Sequence, residues 1–125
     1  MDRMVSFSDA VFSIAMTLLV LDLIIPEGLV PDDLQTALRE AVPEFIAYAL
    51  SFAVLAGAWL DHHRKFSVIR RFDSRLQWLN LLLLFFVAVL PMPTSFLSNY
   101  GSSLPWPAVL YALVTAAVYV ILNAI

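Results

Sequence analysis

The first hydrophobic segment of this sequence carries polar side chains at positions where a membrane helix seldom has them. They are Ser6, Ser8, Asp9, Ser13, Thr17 and Asp22. Polar groups are costly inside a bilayer, and those that occur there usually pair with other groups or line an ion or substrate path. The sequence has no cysteine and offers no nucleophile–base pair or phosphate-binding loop. We therefore expect ion or substrate passage, and no enzyme activity.

Helical geometry divides this segment into two faces. At about 100° per residue, Ile14, Leu18 and Leu21 fall within about 60° of one another. Thr17 lies beside them, whereas Asp9 points about 140° away from Ile14. The segment thus has an aliphatic stripe with one threonine and, separately, a polar seam around Asp9.

Two interpretations of the stripe are open. In the first, it packs against neighbouring helices or lipid, as aliphatic faces of membrane helices commonly do. In the second, it faces a symmetry axis and closes a narrow pore, since hydrophobic constrictions can gate by excluding water. The polar seam then holds the helix against its own subunit.

Composition places the whole chain in a membrane. Of its 125 residues, 62% are hydrophobic and 14% are charged, and the mean hydropathy is +0.87. A soluble domain is usually about 45–50% apolar, and a domain this small buries too little of its surface to hide so many apolar side chains. The net charge of −3 and the lack of a basic tract indicate no nucleic-acid partner. We expect an all-α, polytopic transmembrane bundle that forms a single domain over 1–125.

Four stretches are long enough to cross a hydrocarbon core, which takes about 20 residues of helix. They are predicted at about 4–25, 43–64, 74–97 and 106–125, with a short external helix at about 31–41. Pro43 suits a first helical turn and therefore marks the predicted start of the second span. Pro91 and Pro93 are expected to kink or end the third span.

Charge differs between the connections. The segment 61–75 has five basic residues against two acidic ones, whereas the segment 27–44 has five acidic residues against Arg39 alone. Because cytoplasmic loops carry an excess of Lys and Arg, the basic segment and the N-terminus are expected in the cytoplasm. Four of the basic residues are expected to lie against anionic lipid head groups: Arg64, Lys65, Arg70 and Arg71.

Other polar and aromatic residues have simpler interpretations. His62 and His63 point about 100° apart on a helix, so a hydrogen-bonding or solvated role is favoured over a metal site. Asn80 and Gln77 are expected to bond across helices toward Asp9. Interfacial anchoring at the span ends is predicted for Trp59, Trp78, Tyr100 and Trp106.

Two runs of residues resemble a known channel family. The spacing Arg3-x-x-x-Phe7-Ser8-Asp9 is that of the RxxxFSD motif of the transmembrane protein 175 potassium-channel family, and the residues after it are similar to the family's first helix. Phe72-Asp73 followed by Leu76-Gln77-Trp78-Leu79-Asn80-Leu81 is similar to the entrance of its third helix. The resemblance covers the first three helices closely and the fourth loosely.

The resemblance implies a potassium-permeable cation channel. Family members have six helices per repeat, and the single-repeat prokaryotic type is a homotetramer in the plasma membrane, with first helices around a central pore. Rings of aliphatic side chains select the permeant potassium ion, and no cofactor is implied. This chain supplies four helices, so either two are missing from it or it is a shortened member.

Carried over position by position, the resemblance assigns two sets of residues. Ile14 would form the narrowest ring of the pore, Leu18 and Leu21 further rings, and Thr17 would offer hydroxyls beside the constriction. The structural network that holds the first helix in place would consist of Arg3, Phe7, Ser8 and Asp9.

An alternative function uses the same acidic residue differently. Small four-helix proton-coupled multidrug-type exporters are about this length and place one acidic residue in the first helix, so Asp9 would bind a cationic substrate or a proton. The position of Asp9 near the helix end, with Arg3 close enough in sequence to neutralise it, favours the channel.

Overall fold

The computed structural model of this protein describes helices as its regular elements. The structure describes residues 2–22, 28, 30–71, 73–100 and 103–125, with the backbone alone for Asp2 and Asp22. The helices are α1 (Asp2–Leu18, continued by a 3₁₀ turn over Leu19–Asp22), α2 (Pro31–Val68), α3 (Ser74–Val89), α4 (Pro91–Tyr100) and α5 (Trp106–Ala124). No strand occurs within these described ranges, and the all-α prediction is confirmed.

Four helical segments are long and apolar enough to cross a membrane. They are Arg3–Leu21, Pro31–Val68, Ser74–Tyr100 and Trp106–Ala124. This number agrees with the predicted four-span bundle. The predicted first span extends to residue 25, but residues 23–27 lie outside the described residues.

The helix that contains the second span begins earlier than predicted, at Pro31, and Pro43 lies inside it. The separate external helix at 31–41 and the break before 43 are not observed; one helix of 38 residues runs from Pro31 to Val68. A proline removes one N–H and crowds the carbonyl four residues earlier, here that of Arg39. Arg39 lies on an exposed stretch, where water can satisfy that carbonyl. The start at Pro31 is favoured by acidic residues in the first turn.

The third span is kinked rather than ended by its prolines. Leu90 separates α3 from α4, and its N–H donates to the carbonyls of Phe86 at 3.1 Å and Val87 at 3.3 Å. Pro91 has no N–H to give to Val87, so the ladder is interrupted there. Thr94 donates its N–H to the Leu90 carbonyl at 3.1 Å, and the helix then continues to Tyr100.

The core lies where α3 packs between α1 and α5, while α2 packs on α4 and α1. The buried side chains of α2 recur every three or four residues, which places them on one face: Ala47, Ser51, Leu55, Ala58, His62 and Phe66. Fully buried partners from the other helices are Phe12, Leu83, Leu90, Val118 and Leu122.

A buried chain of hydroxyl groups joins α2, α4 and α5. Thr94 Oγ1 donates to the Leu90 carbonyl at 2.9 Å, and Ser51 Oγ lies 2.7 Å from Thr94 Oγ1 and 2.8 Å from Tyr111 Oη. Each hydroxyl has one proton. Since Thr94 uses its proton on Leu90, Ser51 must donate to Thr94 and Tyr111 must donate to Ser51. The chain therefore ends on the carbonyl at the kink and fixes the position of α4.

Ser51 is the middle member of this chain of hydroxyl groups. Loss of its hydroxyl should therefore destabilise the protein more than loss of the Tyr111 hydroxyl at the end. We expect Ser51→Ala to lower the free energy of unfolding by about 1–2 kcal/mol, because it breaks two buried hydrogen bonds, and Tyr111→Phe by about half as much. Thermal unfolding in detergent, followed by circular dichroism, measures both. Ser67→Ala is the control, since its hydroxyl bonds only to the Arg64 carbonyl at an exposed site. Equal melting temperatures of Ser51→Ala and Ser67→Ala would contradict the proposed chain of hydroxyl groups.

Candidate functional site

One face of α1 is buried in the bundle. Ser8, Phe12, Ala15 and Leu19 are spaced by four, three and four residues, so they form a continuous stripe, and all four are buried. They contact the core formed with α2 and α3. The opposite face of α1 has no partner among the residues that the structure describes.

The buried face contains a directed chain of hydrogen bonds between three helices. Asn80 of α3 donates through Nδ2 to Ser8 Oγ at 2.9 Å, and Ser8 donates to the Met4 carbonyl at 2.7 Å. His62 Nε2 lies 2.8 Å from Asn80 Oδ1. Because an amide oxygen only accepts, His62 must donate through Nε2. Asn80 therefore connects α1 to α2, and its bond across to α1 goes to Ser8, the neighbour of Asp9, rather than to Asp9 itself.

The ring of His62 is held by aromatic side chains. It stacks on Phe66 at a centroid distance of 4.1 Å and lies 5.6 Å from Phe12. Its Nδ1 is buried with no hydrogen-bond partner. A neutral ring with its proton on Nε2 fits these contacts, because an N–H at Nδ1 would have no acceptor.

The carboxylate of Asp9 is held by a second contact to α2. Trp59 Nε1 donates to Asp9 Oδ1 at 2.9 Å, and the indole stacks on His63 at 5.4 Å. The sequence predicted Trp59 as an interfacial anchor, whereas the structure gives its N–H to Asp9. Gln77, which was also expected to bond toward Asp9, is exposed.

The four motif residues are split between the two faces of α1. Ser8 and Asp9 make the contacts described above. Phe7 and Arg3 are exposed and lie seven and eleven positions before Ile14, which is about 20° from it on a helix. Among the described residues the single ion pair is Lys65–Asp61 at 3.5 Å, so Arg3 and Asp9 are not paired.

The aliphatic stripe lies on the exposed face of α1. Ile14 is 57% exposed, Leu18 42% and Leu21 63%. Thr17 is exposed beside them, and its hydroxyl donates to the carbonyls of Ser13 at 2.9 Å and Ile14 at 3.0 Å. The proton of that hydroxyl is thus directed into the helix, and the oxygen lone pairs remain available on the exposed side. The side chain of Asp22 lies outside the described residues.

The described part of the chain shows no cluster of three or more His, Asp or Glu side chains arranged to hold a metal ion. The site is instead a helix with one anchored face and one free aliphatic face. Sequence reasoning did not find the roles of Trp59 and Ser51. A signal was present for Ser51, because it falls on the same three-and-four spacing as Leu55, Ala58 and His62.

The family described as the endosomal/lysosomal potassium channel TMEM175 matches residues 3–91, which is more than half of the chain. The chain belongs to this family. The match begins at Arg3, the first residue of the RxxxFSD spacing, and it confirms the resemblance seen in the sequence.

Members of the TMEM175 family from distant organisms share this region. A potassium channel of Streptomyces collinus is 45% identical over 98 residues, which cover 78% of this chain and 48% of that protein. A potassium channel of Chamaesiphon minutus is 39% identical over 100 residues, 78% of this chain and 49% of that protein. The human endosomal/lysosomal proton channel TMEM175 is 39% identical over 101 residues, 73% of this chain and 20% of that protein. This TMEM175-family chain thus spans about half the length of the two bacterial relatives.

The fold is also similar to a solved channel. The crystal structure of a lysosomal potassium-selective channel TMEM175 homolog from Chamaesiphon minutus has a TM-score of 0.90 at 35% identity, over 98% of this chain and 68% of that one. The arrangement of all four spans is therefore that of a TMEM175 homolog.

Asn80 has two buried partners, and no other described group replaces it in either contact. We expect Asn80→Leu to lower the free energy of unfolding by about 2–3 kcal/mol, because the His62 N–H and the Ser8 oxygen lose their partner in an apolar surrounding. Thermal unfolding in detergent measures the loss. Gln77→Leu, an exposed position on the same helix, should stay within about 0.5 kcal/mol of the parent. If the two variants have the same melting temperature, the hydrogen bonds of Asn80 do not anchor α1.

Proposed function

We propose that this chain forms a potassium-permeable cation channel in which α1 lines the pore. Two findings support this function: the chain belongs to the TMEM175 family, and its bacterial relatives are named potassium channels. The observation that carries the assignment of α1 is the division of its two faces. Ser8 is bound by α3 and Asp9 by α2 of the same chain, whereas the side chain of Ile14 is exposed on the other face.

The aliphatic face suits a constriction around a symmetry axis. Four copies of α1, with Ile14 turned to the axis, would place four branched side chains at one level, and Leu18 and Leu21 would form rings beyond it. A ring of this kind excludes water, so an ion must shed part of its hydration shell to pass. The Thr17 oxygens, whose protons point into their own helix, would replace some of that hydration.

The proposed assembly is a homotetramer in the plasma membrane, with the N-terminus in the cytoplasm. The charge difference between the connections supports this orientation. The channel is proposed to be passive, with potassium as the permeant ion, no cofactor and no enzyme activity. The exposed Phe7 and Arg3, on the same face as Ile14, would then lie toward neighbouring subunits.

Nothing in the site favours the exporter. A proton or substrate site needs a carboxylate that is open to its ligand. Asp9 instead accepts a hydrogen bond from Trp59 in its own chain and is half-buried.

A polar side chain at the proposed constriction should hydrate it. We expect Ile14→Asn to raise potassium flux from proteoliposomes about tenfold or more, since a dry barrier of even 1.4 kcal/mol slows passage by that factor. Discrimination between potassium and sodium should fall at the same time. The measurement is flux with each cation in turn, at equal protein content.

Val20→Asn is the matched control for this test. Val20 is an exposed aliphatic residue of the same span, but six positions from Ile14 place it about 120° away from the stripe. Its flux should equal that of the parent. A folded Ile14→Asn protein with parental flux and selectivity, or an equal effect of Val20→Asn, would remove Ile14 from the pore.

The proposed pore also requires several copies of the chain. We expect a mass of four chains in light scattering of the protein in detergent, after subtraction of bound detergent. Ile14→Asn should retain that mass, because contacts between subunits would flank the axis rather than depend on one ring. A monomer at micromolar concentration would contradict an axial pore.

A further inference from the structure

A groove at one end of the bundle combines two arginines with an apolar wall. It has a volume of about 270 Å³ and lies between the α2–α3 connection and the end of α5. Arg71 and Arg75 line its polar side, and Leu76, Leu79 and Ile125 line its apolar side. The pore-lining face of α1 is not part of it.

The groove lies at a membrane surface. The segment 69–73 joins the end of the second span to the start of the third. The chain then crosses once through α3 and α4 and returns through α5, so the end of α5 reaches the same surface. Leu76 and Leu79 line the groove from the first two turns of α3. The apolar wall therefore begins at the surface and continues toward the bilayer interior.

The positive charge of the groove is not neutralised. In the part of the chain that the structure describes, the one ion pair is Lys65–Asp61, and both Arg71 and Arg75 are exposed. Asp73 also lines the groove, but its Oδ1 accepts the N–H of Leu76 at 2.8 Å and caps α3. The two arginines therefore exceed the one acidic side chain that lines the groove, and one positive charge is left without a counter-charge there.

We propose that this groove binds an anionic membrane phospholipid, with its phosphate between Arg71 and Arg75 and an acyl chain along Leu76 and Leu79. Guanidinium groups bind phosphate oxygens through paired N–H donors, and basic residues at the end of a membrane span attract anionic lipid. The adjoining apolar wall distinguishes this ligand from a free phosphate, which would leave that wall exposed to water.

Lipid binding to the full protein in detergent tests the proposal. Native mass spectrometry would compare the binding of phosphatidylglycerol and phosphatidylcholine at equal concentrations. We expect the parent to prefer phosphatidylglycerol, and Arg71→Gln with Arg75→Gln to weaken that lipid about tenfold or more through the loss of two cationic contacts. Binding of phosphatidylcholine should not change. Both residues are exposed, and circular dichroism checks that the variant keeps its fold. If the double variant unfolds, Arg71→Gln alone, in the connection between α2 and α3, replaces it in the test.

The matched control removes the same charge from outside the groove. Arg64→Gln with Arg70→Gln should weaken phosphatidylglycerol by less than about twofold, because these residues meet lipid head groups at the open surface and neither lines the groove. The proposal is overturned if the control weakens binding as much, since the attraction would then be spread over the surface. Unaltered binding in the groove variant overturns it too. Competition by glycerol phosphate at the concentration of the lipid would show a site for a free anion instead.

Discussion

The shortage of water inside a membrane protein is the constraint on which this structure depends. Polar groups within the bundle must find their partners in the protein, because hydrocarbon supplies none, and among the described buried side-chain atoms only His62 Nδ1 and Thr115 Oγ1 lack one. Here the buried groups of α1, α2 and α3 satisfy one another through Ser8, Asn80 and His62. Each bond has a single workable donor and acceptor, so the three helices fit together at one rotation. Hydrophobic packing alone would permit several rotations, since apolar side chains of similar size can replace one another.

The fixed rotation of α1 decides what the rest of the helix can do. Ser8 and Asp9 face α3 and α2, and helical geometry then turns Ile14, Leu18 and Leu21 outward. An exposed aliphatic face on a membrane helix is normal where it meets lipid. It becomes a pore surface only if other copies of the chain surround an axis on that side. The proposed channel therefore joins an observed anchoring of one helix with a proposed assembly of several chains.

Polar contacts elsewhere in the bundle follow the same rule. Tyr111, Ser51 and Thr94 form a chain that ends on the carbonyl at the kink of the third span. This carbonyl lies where Pro91 interrupts the helical ladder, so the kink is held by a defined set of bonds. At the end of the bundle the rule ceases to apply, because Arg71 and Arg75 reach the membrane surface. There the charges find partners outside the chain, in solvent or lipid head groups.

The sequence by itself determined the membrane class, the number of spans and the family. Length of apolar runs, proline positions and the spacing of Arg3, Phe7, Ser8 and Asp9 are local properties, and each needs only neighbouring residues to be interpreted. The sequence also placed Asp9 and Ile14 on different faces of the first helix, because the angle between two positions on one helix follows from their residue numbers. The start of α2 was predicted wrongly, since a proline inside a helix and a proline at its start have the same local pattern. Only the tertiary structure decided the partners: Trp59 for Asp9, Asn80 for Ser8 and His62, and Ser51 for Tyr111. These pairs lie 50, 72, 18 and 60 positions apart in sequence. Their contacts depend on how whole helices pack, which no local pattern contains.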